Sequence, residues 1–208
     1  MPKVSVLTAI KQLKRPIFTT REAASCAGGS TSGTVQALNH LAREGVVIKI
    51  ARGIWGVDMG NKRTSQYSVI PFLLPHGRGY VSFISALHLH GIIEQIPQLV
   101  TLASTAHTKT IRTKLGTFYL HRIAPSFFKG FDWYKGNGDF LIAEPEKAFV
   151  DCLYLSARKK KQFGHFPELH FPKSFSFKKA RDWAGQIPDI RIRSYVNREL
   201  EKVRGNNS

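Results

Sequence analysis

The 208-residue sequence predicts an α+β fold in two parts, a small helical region with a hairpin and a larger mixed domain. Three observations lead there. Over the first 45 residues apolar side chains recur at helical spacing, interrupted by small-residue and glycine turns. Two β-branched runs separated by Ala51-Arg52-Gly53 follow directly. From residue 76 onward, strand-like and helix-like segments alternate without an internal repeat. A hydrophobic content of 42% with 14 Phe is too apolar for a disordered chain. A chain of this length buries about 70% of its unfolded surface, so its core needs no disulfide or metal.

Val4, Leu7, Ala9, Ile10 and Leu13 mark a first helix, closed by Pro16. Residues 17–19 read as a β stub. Thr20 reads as the N-cap of a second short helix through Arg21-Glu22-Ala23-Ala24, in which Cys26 is a small buried residue. The small residues of 27–33 make a turn, and helical spacing resumes over 32–43, with Gly45 at the C-terminal cap. Residues 46–50 and 54–57 pair as a hairpin with a basic tip. Helix, stub, helix, turn, helix, hairpin is the order of a winged helix-turn-helix, expected over residues 1–60. The polar stretch 58–68 opens a linker expected over 61–75, and an α+β domain follows over 76–208.

The net charge is +17, from 31 Lys and Arg against 14 Asp and Glu. Residues 1–80 carry 11 basic and 3 acidic residues, and 81–208 carry 20 and 11, so the excess is a property of the whole chain. Such a field favours a polyanionic partner, nucleic acid first and an acidic protein second. At about 100° per residue, Val35, Leu38, Leu41 and Ala42 form the core face of the third helix. The opposite face carries Ser32, Gln36, His40 and Arg43. Gln pairs bidentately with adenine, Arg with guanine or phosphate, and Ser with either. The first turn of this helix, 30–34, offers free N–H groups to a phosphate. Lys49 and Arg52 on the hairpin, and Lys62 and Arg63 after it, complete the expected DNA-binding set. A polar helix face is also what solvent alone would select.

In the second domain, Ser82 is expected to cap a helix through Ile84, Leu87 and His90 that stops at Gly91. Residues 99–103, 117–123 and 140–143 read as strands, and Gly77-Arg78-Gly79 as a turn. Pro145 opens a helix that buries Ala148, Phe149, Cys152 and Leu155, with Glu144 and Glu146 at its positive end. After the basic run 158–161, helices are expected over 178–184 and 190–203.

No constellation forms a catalytic, cofactor or metal site. His88 and His90 would point about 160° apart on a helix, so they cannot chelate together. His165 and His170, beside Glu168 in a Phe- and Pro-rich stretch, carry no better case. Asp139, Glu144, Glu146 and Asp151 are the nearest approach to a nuclease, but Pro145 stands two places before Lys147 where a Glu-x-Lys motif needs its acid. Cys26 and Cys152 lack paired spacing. Neither a membrane-length apolar run nor a signal-peptide core is found, so a cytoplasmic protein without a membrane partner is expected.

Three segments stand out, the second and third being the more specific: ARGIWGV at 51–57, YVSFISALHLHGIIEQIP at 80–97 followed by a Val-Thr strand, and AEPEKAFVDCLYL at 143–155. In this order and spacing the chain resembles the AbiEi-type antitoxin family of abortive-infection and toxin–antitoxin systems, over about residues 5–160. Trp55 stands where that family commonly has Tyr. The resemblance implies a winged helix that binds inverted repeats in its own promoter and represses its operon. It also implies a second domain that counteracts a cognate nucleotidyltransferase toxin. By position, Ser32, Gln36, Arg43 and Arg52 would carry operator binding. The protein would be monomeric in solution or dimeric on DNA. A stand-alone winged-helix repressor, or a basic RNA-binding or nuclease protein, are the alternatives.

Overall fold

The computed structural model describes residues 3–57, 64–74, 79–136, 138–158, 163 and 166–206. The chain is mixed α+β and forms two compact units, Met1–Pro75 with Arg112–Gly116, and His76–Ile111 with Thr117–Ser208. No described helix is long and apolar enough to cross a membrane.

The first unit runs α1 (Val6–Leu13), β1 (Ile17–Thr19), α2 (Thr20–Ala27), α3 (Thr31–Arg43), β2 (Val47–Ala51) and β3 (Ile54–Val57). β3 lies between β1 and β2, antiparallel to both. The core unites one or more side chains from each of these elements: Ile10, Phe18, Ala23, Leu38, Val47 and Trp55. Full burial of a large apolar side chain of this kind contributes about 1.5–3 kcal/mol.

The α2 cap differs from expectation by one residue. Thr19 is the N-cap, in a reciprocal capping box with Glu22. The Thr20 hydroxyl instead accepts the buried Trp55 indole N–H at 2.9 Å. Cys26 is only half-buried, and its thiol donates to Gln12 Oε1 at 3.2 Å. The expected linker is also partly folded: Gln66–Val69 form a 3₁₀ turn leading into α4 (Ile70–Leu73), with Val69, Ile70 and Leu74 buried. Pro71 sits in the first turn of α4, where its missing N–H breaks no helical bond.

The second unit holds β4 (Gly79–Val81), α5 (Phe83–Leu89), β5 (Val100–Ser104), most of β6 (Lys109–Thr113) and β7 (Gly116–Arg122), whose residues 112, 113 and 116 group with the first unit, then β8 (Phe131–Trp133), β9 (Leu141–Ala143), α6 (Pro145–Ser156), α7 (Phe177–Gly185) and α8 (Ile190–Asn206). The sheet order is β6-β7-β5-β4-β9-β8, so the fully buried β5 lies inside it. β5–β7 and β4–β9 are parallel; β4–β5 and β8–β9 are antiparallel. β4, β6 and β8 have no counterpart in the sequence reading. Gly79, expected in a turn, begins β4, while Gly77 and Arg78 lie outside the described residues.

α6 is buried from Glu146 through Ser156. Lys147 and Asp151, one turn apart, form an ion pair with both side chains at 0% exposure. The Asp151 carboxylate also accepts the Ser82 hydroxyl at 2.7 Å and the Tyr80 hydroxyl at 3.1 Å. Lys147 Nζ donates to Tyr80 Oη at 3.0 Å and lies 3.9 Å from the centre of the Phe127 ring. Burial pushes the Lys147 ammonium pKa down, against the Asp151 carboxylate that holds it up. Ser82 occupies the N-cap position of α5 as expected, but without a side-chain cap, because its hydroxyl serves Asp151.

Candidate nucleic-acid interface

Local sequence sets the direction of α3. Gly28 ends α2 in the left-handed conformation at φ 65, which glycine adopts without strain, and its N–H returns to the carbonyls of Ala24 and Ser25. The chain then restarts at Ser30, whose hydroxyl oxygen accepts the Gly33 N–H at 3.1 Å. That bond uses one N–H of the first turn, which leaves those of Thr31 and Ser32 without a partner among the described residues.

Leu38 is buried and Val35, Leu41 and Ala42 are half-buried, so the core face of α3 lies where the helical spacing puts it. Thr34 joins that face unexpectedly at 3% exposure. Its hydroxyl donates to the Ser30 carbonyl at 2.8 Å, which satisfies the buried polar atom.

Ser32, Gln36, His40 and Arg43 are all exposed. Their spacing of four, four and three residues lines them along one stripe of α3. Gln36 and Arg43 have no side-chain partner among the described residues. His40 is engaged locally, with Nδ1 3.2 Å from Glu44 Oε1.

The β2–β3 hairpin turns at Arg52-Gly53, where Gly53 has φ 75. A side chain there would be strained even though nothing crowds the position. Arg52 is exposed beside it, and Lys49 is exposed with its ammonium 5.6 Å from the Trp55 ring centre. Lys62 and Arg63 lie outside the described residues.

The base of the site is held electrostatically. Arg15 forms an ion pair with Glu22, whose other carboxylate oxygen accepts the Thr19 N–H at 2.7 Å. Burial raises the Glu22 pKa, but the Thr19 backbone and hydroxyl bonds and the Arg15 guanidinium outweigh it. The carboxyl therefore lies below its ordinary value.

Most of the histidines and acids of the second unit are engaged by neighbours within the fold. His90 Nε2 is 2.8 Å from the Ala143 carbonyl, and His88 Nδ1 is 3.4 Å from that of Ile93. Glu146 accepts the Ser176 N–H at 3.0 Å, and Lys179 bridges Glu144 and Glu146 at 2.9 and 3.5 Å. Asp151 is sealed beside Lys147. His170 is exposed, 4.0 Å from Glu168, and His165 lies outside the described residues. Among the described residues no three His, Cys, Asp or Glu side chains converge as metal ligands. Compared with known proteins, the chain matches no family model and no curated sequence.

Proposed function

We propose that the protein is a DNA-binding transcriptional repressor whose first unit is a winged helix-turn-helix, and that it serves as antitoxin to a nucleotidyltransferase toxin encoded beside it. One observation carries the DNA half. The exposed stripe Ser32, Gln36 and Arg43 on α3 is followed directly by a hairpin that exposes Lys49 and Arg52. In this reading α2 and α3 are the helix-turn-helix pair, with α3 in the major groove and β2–β3 as the wing against phosphates. Gln36 and Arg43 read base edges, while Ser32, Lys49, Arg52 and the sequence neighbours Lys62 and Arg63 set register on the backbone. His40, paired with Glu44, is a secondary contact. The +17 charge supports a polyanionic partner.

The antitoxin half is supported by the resemblance of segments 51–57, 80–97 and 143–155 to the AbiEi-type family. Operator DNA with inverted repeats in the protein's own promoter is then the first partner. The toxin is the second partner.

Fluorescence anisotropy on the upstream promoter and on scrambled DNA, at two salt concentrations, tests the first half. Selective binding that weakens with salt is expected; equal affinity for both DNAs overturns sequence-specific repression. Co-expression with an adjacent nucleotidyltransferase reading frame tests the second half. Rescue of growth is expected, and undiminished toxicity rejects the antitoxin role.

A further inference from the structure

The second unit contains a cleft of about 730 Å³ that the DNA reading does not use. Arginines from three elements line it: Arg122 at the end of β7, Arg158 just past α6, and Arg191 in the first turn of α8. Arg122 and Arg191 have no side-chain partner among the described residues. The Arg158 guanidinium is fixed over the Tyr154 ring, 4.6 Å from its centre, and donates to the Tyr154 hydroxyl.

The acid in the cleft, Asp189, forms no ion pair with them among the described residues. Its Oδ1 accepts the backbone N–H groups of Arg191 and Ile192 at 2.8 and 3.1 Å, as the start of α8 requires. Arg191 also stands at the positive end of a helix, where a cation is disfavoured. Farther along α8 the contrast is plain: Arg198 and Lys202 pair with Glu199, and Arg204 and Arg181 pair with Glu201. The unpaired cations of this unit's cleft thus face a concavity of small-molecule size. One wall is aromatic, with the half-buried Tyr119 ring 4.5 Å from that of His121.

The geometry points to a nucleoside polyphosphate as the ligand of this cleft. Arg122, Arg158 and Arg191 hold the phosphates, and the base lies against Tyr119. Guanidinium groups suit phosphate oxygens because each presents two parallel N–H donors. A planar ring completes the match, since any base offers a face for stacking.

Isothermal titration calorimetry of the full chain, in phosphate-free buffer, tests this with adenosine triphosphate, inorganic triphosphate and adenosine as probes. The nucleotide should bind saturably at one site, triphosphate more weakly, and adenosine not measurably. Equal affinity for triphosphate and nucleotide overturns the base contact. Arg122→Ala should weaken nucleotide binding about tenfold or more. Arg191→Glu should abolish binding while leaving the thermal melt unchanged or raised, because an acid suits that end of α8. Asp189→Asn keeps a capping oxygen but removes the opposing charge, so binding should tighten.

Nucleotide binding that survives combined Arg122→Ala and Arg191→Glu substitution would place the ligand elsewhere. Binding of a single-stranded oligonucleotide without binding of the nucleotide would replace this inference with a nucleic-acid groove. Promoter binding by Arg122→Ala is measured in parallel, which separates failure here from failure of the repressor reading.

Discussion

Helices α3 and α6 are almost equal in length, at 13 and 12 residues, yet they treat polar side chains in opposite ways. α3 buries Thr34 and Leu38 and turns Ser32, Gln36, His40 and Arg43 to solvent. α6 buries Glu146, Lys147, Asp151 and Ser156, each with a partner: Ser176, Tyr80, Ser82 and the Leu153 carbonyl among them. The lesson concerns what a polar residue is for. On α6 its hydrogen-bonding capacity is consumed within the fold, so the residue belongs to stability. On α3 much of that capacity is left over, and the residue is available to something outside.

The sharpest way to break this contrast is to unpair α6. Lys147→Met should destabilise the protein by about 3–5 kcal/mol, because Asp151 is left as a buried, uncompensated charge. Replacing both partners by Met and Leu should recover much of that loss, as urea unfolding would reveal. A double variant no more stable than the single one would mean that the pair itself carries the stability.

On α3 the expected effect moves from folding to binding. Gln36→Ala should leave the melt unchanged and lower affinity for the specific operator by about 1–3 kcal/mol, with little change on random DNA. Equal loss on both DNAs removes Gln36 from the base-reading set.

Thr19→Ala sharpens the comparison at the start of α2, where a polar side chain is again spent on the fold. Losing the cap should cost about 1 kcal/mol in stability. Because the Glu22 pKa is depressed in the folded state, its contribution is present above the ordinary glutamate range and disappears as pH falls through the folded value. Removing the Thr19 hydroxyl should raise that folded value toward the ordinary one, so that less stability is lost on acidification and the loss is complete at higher pH. Melts recorded against pH would register the shift, and an unmoved acid limb would discard the Thr19 contribution.

Arg52→Ala has the smallest expected effect: no change in stability and a reduction of about one unit in the salt slope of DNA binding, the signature of one phosphate contact. An unchanged slope rules that contact out.

The sequence made the first unit largely legible because its signals are local. Pro16, Gly45 and Gly53 bracket the elements, and the spacing of Leu38, Leu41 and Ala42 orients α3. Thr19 and Thr20 could not be told apart, since both can cap. Thr20 is diverted by Trp55, 35 residues away. The second unit was harder for the same reason on a larger scale. β6, Lys109–Thr113, carries one apolar residue and is an edge strand held through its backbone, so no alternation betrays it. Lys147 and Asp151 have the spacing of a solvated helix pair; only the arrival of Tyr80 and Ser82 from elsewhere makes them a buried one. The polar residues of 58–68 suggest a linker, whereas Val69, Ile70 and Leu74 are buried by contacts that composition does not show. The arginine cleft was invisible because Arg122, Arg158 and Arg191 belong to three elements far apart in the chain.

The bond from Trp55 to Thr20 has a consequence for the entropy of docking. It ties the middle of β3 to the first residue of α2, deep in the core that also holds Leu38 of α3. The exposed row on α3 and the basic turn of the hairpin are therefore presented on one rigid body, with their spacing fixed during folding. A polyanion that meets both surfaces need not order one against the other, and that saved conformational freedom appears directly as affinity.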